Sequence, residues 1–358
     1  MGDLELSHRV VLAPLTRMRS TPPGDVPNPL NATYYGQRAS KGGLLITEAT
    51  QVSRLGKGYP GAPGIYSAEQ VEGWKLVTDA VHAKQGYVFL QLWHVGRMSH
   101  SSLHPDEGVP VSASALAPQD GSKALTATFQ QVPFETPRAL TLEEIPQIVE
   151  QYRQGSVKAK LAGFDGVEVH GANGYLLDQF LEDKSNHRTD QYGGSIENRA
   201  RLLLEVVDAA IGVWGKGRVG VRLSPYGKFL DMGDSNPVAL FGYVLEQLSR
   251  RGIAYAHVIE ARGGENGYKD APRTSELFRK YFQGVLISAG GYDAGSAEKT
   301  IVEGFADAVA FGRWFISNPD LPERFATNSP LNPYDRKTFY GGGEKGYTDY
   351  PALEAVRS

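Results

Sequence analysis

A short predicted strand and the polar turn after it lie in the sequence Phe164-Asp-Gly-Val-Glu-Val-His170-Gly-Ala-Asn173-Gly-Tyr175-Leu-Leu-Asp-Gln-Phe180. Residues 166–170 alternate and are rich in β-branched side chains, and two glycines then break the chain. A histidine and an amide can aim two N–H groups at one oxygen, and a phenol nearby can offer a proton. The same side chains are also ordinary at a strand end, so this stretch alone leaves a structural interpretation open.

Working outward, seven further apolar runs of this kind recur, and stretches with helical periodicity separate them. One such helix would begin at the capping box Thr141-Leu-Glu-Glu144 and end near Ala162. The eight runs are residues 10–14, 44–49, 87–93, 166–170, 219–225, 255–261, 285–291 and 308–312. Continuous apolar strands separated by helices indicate a parallel sheet covered on both faces, and eight such units most simply close into a (β/α)8 TIM barrel. A doubly wound open sheet is the alternative.

Two segments do not fit this repeat. Residues 99–140 are rich in Ser, Pro, Gln and Ala and are too long for a simple connection, so we expect them to cross the C-terminal mouth of the barrel. Residues 326–358 form a tail that we expect to fold back on the barrel. Because no linker or second hydrophobic pattern occurs, residues 1–358 are predicted to form a single domain.

The composition is that of a globular protein with no marked charge preference. The 358 residues are 41% hydrophobic and 22% charged, with a net charge of -3 and a pI near 6.3, which gives no reason to expect nucleic acid or an anionic membrane as partner. The absence of cysteine excludes disulfides, thiolate metal sites and cysteine nucleophiles. No apolar run approaches the roughly 20 residues that a membrane span needs. We expect a cytoplasmic protein, with a processed plastid form as the alternative, that is a monomer or weak homodimer.

In such a barrel the active site lies at the C-terminal ends of the strands. The first five strands would end in residues 13–16, 47–49, 91–94, His170 and residues 222–225. The last two would end in glycines, with Arg313 directly after Gly312. Glycine turns at this place hold a phosphate in many barrels, and an arginine would add charge-assisted hydrogen bonds. A tight barrel corner would explain the same glycines.

Several of these motifs resemble the Old Yellow Enzyme family of flavin-dependent ene-reductases, which includes the plant 12-oxophytodienoate reductases. The motifs are residues 9–17, 91–97, 170–180, 188–199, 219–225, 311–320 and 346–351, so the resemblance covers nearly the whole chain. It implies an enzyme with non-covalent FMN that takes hydride from NADPH or NADH. The hydride would pass to the activated C=C bond of an enone, enal or nitroalkene.

The resemblance also implies a set of flavin contacts. Thr16 would bond the C4 carbonyl of the flavin, Gln91 its pyrimidine edge, and Arg222 would lie near N1 and the C2 carbonyl. Reduced flavin carries negative charge at N1, so a fixed arginine there would favour it. Ala49 stands where many relatives have glycine. The implied cofactor-binding residues are Ala13, Pro14, Leu15, Thr16, Ala49, Gln91, His170, Arg222, Gly290, Gly291, Gly312 and Arg313.

For the substrate, the resemblance implies that His170 and Asn173 bind the carbonyl oxygen and that Tyr175 delivers the proton. Hydride addition at the β-carbon moves charge onto that oxygen, and the α-carbon then needs an acid. Arg262 and Tyr347 match positions that line the substrate pocket. Plant 12-oxophytodienoate reductases carry histidine where Asn173 stands, so the resemblance favours ene-reduction in general over that particular substrate.

Two other functions are compatible with parts of the sequence. A metal-dependent barrel hydrolase or lyase would also use acidic and histidine side chains at strand ends, for which the candidates are Glu48, Glu168, His170 and Glu260. The spacing of the histidines at 94, 100 and 104 suits neither one face of a helix nor a metalloprotease motif, so no metal site is predicted. A flavin-storing barrel is the third hypothesis, and Tyr175 argues against it because storage needs no acid.

Overall fold

The computed structural model describes residues 1–261 and 272–353, and the elements below are those of the described residues. The strands are β1 (Val10–Leu12), β2 (Leu44–Ile46), β3 (Thr50–Gln51), β4 (Tyr87–Trp93), β5 (Val111–Ser112), β6 (Lys123–Leu125), β7 (Gln131–Pro133), β8 (Arg138–Ala139), β9 (Gly166–Gly171), β10 (Val219–Leu223), β11 (Tyr255–Ile259), β12 (Leu286–Ala289) and β13 (Ala308–Phe311). The helices are α1 (Pro29–Arg38), α2 (Ala68–His82), α3 (Ile145–Leu161), α4 (Leu176–Leu181), α5 (Ile196–Trp214), α6 (Pro237–Arg251), α7 (Thr274–Phe278), α8 (Ala294–Val302), α9 (Arg313–Ser317) and α10 (Leu321–Ala326). Among these helices, none combines the length and the apolar character that crossing a membrane requires.

Eight of the strands form a closed parallel ring, in the order β1, β2, β4, β9, β10, β11, β12 and β13. The ring closes because β1 pairs with both β2 and β13, while β2 also pairs with β4. The predicted (β/α)8 barrel is therefore confirmed, and the open doubly wound sheet is wrong because the ring, all of which is described, has no edge. Each of the eight apolar runs contains one ring strand. Several runs extend beyond the last residue that pairs with a neighbouring strand. There the chain leaves the barrel and enters the loops of the mouth.

Alternation along the strands sorts their side chains into two sets, because successive side chains point to opposite faces. On β4, Val88, Leu90 and Leu92 join the large apolar cluster that the helices complete, whereas Phe89 belongs to a separate cluster inside the ring. The rings of Phe89 and Tyr255 lie 5.8 Å apart there. The interior is thus apolar in the lower part of the barrel, and polar strand residues come only above this floor.

Helix α3 begins at Ile145, with its N-cap at Glu144, three residues later than the capping box predicted. Only one of the two expected bonds is made, in which the Thr141 N–H donates to Glu144 Oε2 at 2.8 Å. The Glu144 carboxylate is also held by Arg138, through contacts of 2.6 and 2.8 Å. Residues 142–144 form a turn before the helix, and Pro146 then occupies a first-turn position where its missing N–H leaves no bond unmade.

Residues 99–140 contain two small sheets. Strands β5 and β8 form a parallel pair, and β6 and β7 form an antiparallel hairpin. Phe134 packs against the cluster that contains Trp93 and Tyr175. The N–H of Gln119 donates to Asp231 Oδ2 at 2.9 Å, which ties the segment to the loop after β10. The segment therefore contacts the strand-end residues on this side of the mouth.

The tail, described as far as Leu353, lies against the segment that follows β1. The guanidinium of Arg17 donates to the carbonyl of Gly346 at 2.8 Å, and that of Arg19 donates to the carbonyl of Gly343 at 2.9 Å. Arg38 Nη2 donates to the carbonyl of Tyr347 at 3.1 Å. Three buried arginines thus satisfy carbonyl groups of a segment that has little regular structure of its own.

Candidate active site

The turn after β9 has a backbone conformation that its sequence favours. Asn173 and Gly174 have φ angles of 58° and 78°, in the left-handed region that asparagine and glycine adopt most readily. The Asn173 N–H donates to Ser224 Oγ at 2.8 Å, and the Gly174 N–H donates to Asp178 Oδ2 at 2.8 Å. Two side chains from outside the turn therefore fix its shape. The following residue, Tyr175, is placed beside His170, with ring centroids 5.1 Å apart.

Two aromatic side chains complete the wall around Tyr175. Its ring meets that of Trp93 edge to face, with centroids 4.9 Å apart. The Tyr59 ring stacks on Trp93, with centroids 5.8 Å apart. The hydroxyl oxygens of Tyr59 and Tyr175 are 3.4 Å apart. Sequence reasoning missed Tyr59, because it lies in the irregular segment between β3 and α2, where no periodicity or strand end marks it. Ala49 belongs to the same cluster.

The environment sets the protonation of the two catalytic candidates. Burial, with the Tyr59 hydroxyl adding to it, raises the pKa of Tyr175 well above its ordinary value of 10.0. Burial, together with the charges of Arg222 and His257, holds the pKa of His170 well below 6.5. At neutral pH, Tyr175 therefore keeps its proton and His170 is a neutral imidazole with one N–H to donate.

Several buried side-chain nitrogens have no protein partner among residues 1–261 and 272–353. They include His170 Nδ1, Arg222 Nε and Trp93 Nε1 near strand ends. Arg222 and His170 are direct neighbours in the ladder between β10 and β9. Since buried polar groups are almost always hydrogen-bonded, two such atoms on neighbouring residues fit a polar ligand.

Below these residues lies a buried polar group inside the barrel. Gln91 Nε2 donates to Glu168 Oε1 at 2.7 Å, and His257 Nδ1 lies 2.9 Å from Glu168 Oε2. Burial raises the pKa of Glu168, but the charges of His257 and Arg222 and the hydrogen bonds outweigh it, so the pKa lies below its ordinary value. The predicted flavin contact Gln91 is thus already held by a carboxylate, a partner that the sequence did not reveal.

A cavity of about 480 Å³ opens beside Arg222 and extends to the ends of β12 and β13. A Cβ at Gly290, which has a φ of 122°, would lie 3.3 Å from Glu260 Cβ, and one at Gly312 would lie 3.1 Å from Leu15 Cδ2. Glycine at these positions keeps the backbone accessible. The lining residues are Ala13, Leu15, Arg222, Ala289, Gly290, Gly291, Tyr292, Asp293, Ala310, Phe311, Gly312, Arg313, Trp314 and Tyr334.

The cavity brings together many of the predicted cofactor residues, with cationic side chains at separate places on its wall. Arg313 is exposed there and donates to the Tyr334 hydroxyl at 3.4 Å. The Asp293 carboxylate also lines the cavity, but it caps α8 by accepting from the Ser296 N–H at 2.8 Å. Of the remaining residues predicted after β1, Pro14 is buried and Thr16 is half-buried.

The structure contradicts the predicted substrate contact of Tyr347. Its side chain is 0% exposed, its ring stacks on Tyr34 at 4.1 Å, and its hydroxyl accepts from Asn31 Nδ2 at 3.0 Å. This tyrosine therefore packs the tail onto α1. Another tail residue, Tyr340, is exposed and, in addition to burial, contributes to the raised pKa values of Tyr59 and Tyr175. Arg262, the other predicted contact, lies outside the described residues.

The carboxylates considered for a metal site are bound elsewhere. Glu48 Oε2 accepts from the Arg17 N–H at 3.0 Å, and Glu260 accepts from the Thr274 N–H at 2.6 Å and from the Ser288 hydroxyl at 2.8 Å. Within 1–261 and 272–353, no three His, Asp or Glu side chains are grouped as metal ligands. These carboxylates accept hydrogen bonds that hold loops in place.

Comparison with known proteins agrees with this architecture over nearly the full chain. Residues 1–332 match the NADH:flavin oxidoreductase / NADH oxidase family. The 12-oxophytodienoate reductase 1 of Oryza sativa subsp. japonica is 50% identical over 359 residues, which cover 99% of this chain and 92% of that protein.

Two solved structures are similar as well. Morphinone reductase in complex with tetrahydroNAD has 50% identity and a TM-score of 0.93, and the match covers 100% of this chain and 97% of that one. An old yellow enzyme homologue from Zymomonas mobilis has 43% identity and a TM-score of 0.94, with 98% of each chain covered. The chain therefore belongs to the NADH:flavin oxidoreductase / NADH oxidase family and is an oxidoreductase of the Old Yellow Enzyme type.

Proposed function

We propose that this protein is an FMN-dependent ene-reductase that uses NADPH or NADH to reduce the activated C=C bond of α,β-unsaturated carbonyl compounds or nitroalkenes. The observation that carries the proposal is the pairing of a neutral histidine with a protonated tyrosine, His170 and Tyr175, whose rings are 5.1 Å apart beside Arg222. One group can donate a hydrogen bond to a developing oxyanion while the other supplies a proton.

The residues at the mouth fit FMN, and the fit rests on three features of the chain. Arg222 Nε is a buried donor without a protein partner in the described ranges, and it borders the 480 Å³ cavity. Gly290, Gly291 and Gly312 leave backbone N–H groups accessible, and Arg313 supplies a cation for a phosphate. Bound there, FMN would supply the capacity to accept a hydride and to pass it on.

The chain's own groups would act on the substrate carbonyl. His170 and Asn173 would hold its oxygen, and their N–H groups would stabilise the negative charge that hydride addition at the β-carbon places there. The Tyr175 hydroxyl would give its proton to the α-carbon. Trp93 and Tyr59 would exclude water from one side, because their stacked rings cover the phenol.

We further propose that nicotinamide and enone use one site in turn. Gly-x-Gly-x-x-Gly occurs at residues 56–61, 215–220 and 341–346, but none of these segments runs from a strand directly into a helix, so they do not form a dinucleotide-binding turn of that kind. The similar morphinone reductase binds tetrahydroNAD. The carboxamide oxygen of a nicotinamide can accept the same hydrogen bonds from His170 and Asn173 as a substrate carbonyl.

The first prediction follows from this shared site: turnover should be ping-pong, and high enone concentrations should inhibit by competing with NADPH. Double-reciprocal plots of rate against NADPH concentration, measured at several fixed enone concentrations below the inhibitory range, should give parallel lines. Lines that intersect would show that both substrates bind together and would contradict the shared site.

The second prediction concerns pH. The pKa of His170 is lowered from 6.5, so the imidazole is neutral above that pH, and the pKa of Tyr175 is raised from 10.0, so the phenol is protonated below that pH. The rate at which an enone reoxidises the enzyme should therefore be constant between pH 6.5 and 10 in single-turnover experiments. An inflection inside this range that His170→Ala or Tyr175→Phe removes would contradict the assigned protonation states.

A further inference from the structure

Outside the substrate site, the carboxylate of Glu168 lies inside the barrel with 0% exposure. Its two oxygens have separate partners, Gln91 Nε2 at 2.7 Å and His257 Nδ1 at 2.9 Å. The three side chains come from β4, β9 and β11. A buried carboxylate is costly unless it is paired and hydrogen-bonded, and this one is held on both sides.

The alternation of β9 places Glu168 directly beneath His170. The two residues are two positions apart, so their side chains point to the same face, which is the barrel interior. Neighbouring β10 contributes Gly220 opposite Glu168 and Arg222 opposite His170. A Cβ at Gly220 would overlap the Tyr255 ring, so no side chain can stand at that place.

The charge of Glu168 acts on Arg222. The carboxylate opposes the lowering of the Arg222 pKa by burial, and the pKa of Glu168 is in turn lowered in part by Arg222. In the low effective dielectric of a barrel interior, an anion on the adjacent strand reduces the positive potential that a cation presents to a ligand. Glu168 therefore contacts Gln91 and acts electrostatically on Arg222, the two residues that the proposed function assigns to the flavin edge.

The Glu168 carboxylate also determines which way the Gln91 amide points. An amide has one NH₂ donor group and one carbonyl acceptor on opposite sides. A carboxylate can only accept, so Gln91 must turn its nitrogen toward Glu168, and its oxygen is then the group left to accept an N–H from a ligand.

We propose that Glu168 is a positioning residue that orients the Gln91 amide and offsets the charge of Arg222, and so limits how strongly the site favours reduced over oxidised flavin. This inference rests on the proposed function, because it concerns the same cofactor. It assigns Glu168 no contact with the substrate and no step in proton transfer.

The test is the midpoint potential of FMN bound to the full-length protein, measured by equilibration with a reference dye, together with the FMN dissociation constant. Glu168→Gln removes the charge and keeps the length of the side chain. Glu168→Asp keeps the charge but is too short to hold both partners. Glu246→Gln removes a charge from an exposed position on α6 and serves as the control.

In Glu168→Gln, the balance of reduced to oxidised flavin should shift at least tenfold toward the reduced form, which is about 30 mV for a two-electron couple. In Glu168→Asp, the midpoint potential should change by less than a third of that amount, while FMN binding weakens severalfold. Glu246→Gln should leave both quantities unchanged. If Glu168→Gln does not fold, Glu168→Asp alone tests the inference. A tenfold shift in the ratio of reduced to oxidised flavin in Glu168→Asp would overturn the inference.

Two outcomes separate this inference from the proposed function. A wild-type protein that binds FMN, combined with an unchanged potential in Glu168→Gln, would overturn the inference and leave the proposed function standing. A wild-type protein that does not bind FMN would overturn the proposed function and the inference with it. A role of Glu168 in folding alone would weaken FMN binding in both variants without moving the potential.

Discussion

Replacement of Tyr175 by phenylalanine should slow the reoxidation of the FMN-loaded protein by an enone about 10²- to 10⁴-fold, the usual contribution of a general acid. Reduction of the same enzyme by NADPH should be almost unchanged, because that half-reaction needs no proton from the protein. The reason lies in the buried phenol, which keeps its proton through the neutral range and lies beside His170. Anaerobic stopped-flow absorbance at the flavin band measures the two half-reactions separately.

The control for this experiment is the neighbouring phenol. Tyr59→Phe removes the hydroxyl that lies 3.4 Å from that of Tyr175 and leaves the stacked ring in place. If Tyr59→Phe carried the large loss and Tyr175→Phe did not, the acid would be Tyr59. If neither variant slowed reoxidation, water or another group would supply the proton and Tyr175 would be a packing residue.

Replacement of His170 by alanine should weaken the binding of phenols by about 3 kcal/mol, the cost of one oxyanion donor, which is roughly a 100-fold rise in the dissociation constant. A phenolate oxygen resembles the enolate that the proposed reaction forms, so the same donors should bind both. Isothermal titration calorimetry with a substituted phenol measures the effect, and enone reduction should fall in parallel.

Asn173 needs a different substitution because its φ of 58° would strain alanine. Asn173→Gly removes the amide and allows the left-handed backbone, so the turn and its bonds to Ser224 and Asp178 can persist. This variant should show a loss of phenol affinity similar to that of His170→Ala. Both variants should be compared at equal FMN content, since His170 is also a predicted cofactor contact. Unaltered phenol affinity in either variant would contradict the role assigned to that residue.

The sequence predicted the ring strands well because each of them is buried on both faces and is therefore mostly apolar. The glycines at 171 and 174 placed His170 near a strand end, and the structure puts it beside Arg222, as two neighbouring strand ends require. The grouping of these residues follows from the barrel itself, since the C-terminal ends of all eight strands meet at one mouth.

Other features depend on contacts between distant parts of the chain, which no local pattern reports. Glu168 and His257 are 89 positions apart and meet only because β9, β10 and β11 are adjacent in the ring. The tail contains several tyrosines with no periodicity, and sequence alone could not tell Tyr347, which packs on α1, from the exposed Tyr340. Helix α3 starts late although the Glu144 carboxylate accepts from the Thr141 N–H, and the additional contact of that carboxylate with Arg138 is one that no local pattern reports.

One anaerobic experiment tests the central claim most directly. The protein, purified and incubated with FMN, should be yellow with one non-covalent FMN per chain, released on denaturation. One equivalent of NADPH, or of NADH in a parallel run, should bleach the flavin absorbance, and 2-cyclohexen-1-one should then restore it while cyclohexanone forms in equal amount. A protein that stays colourless with FMN, or a bleached flavin that no enone or nitroalkene restores, would contradict the account.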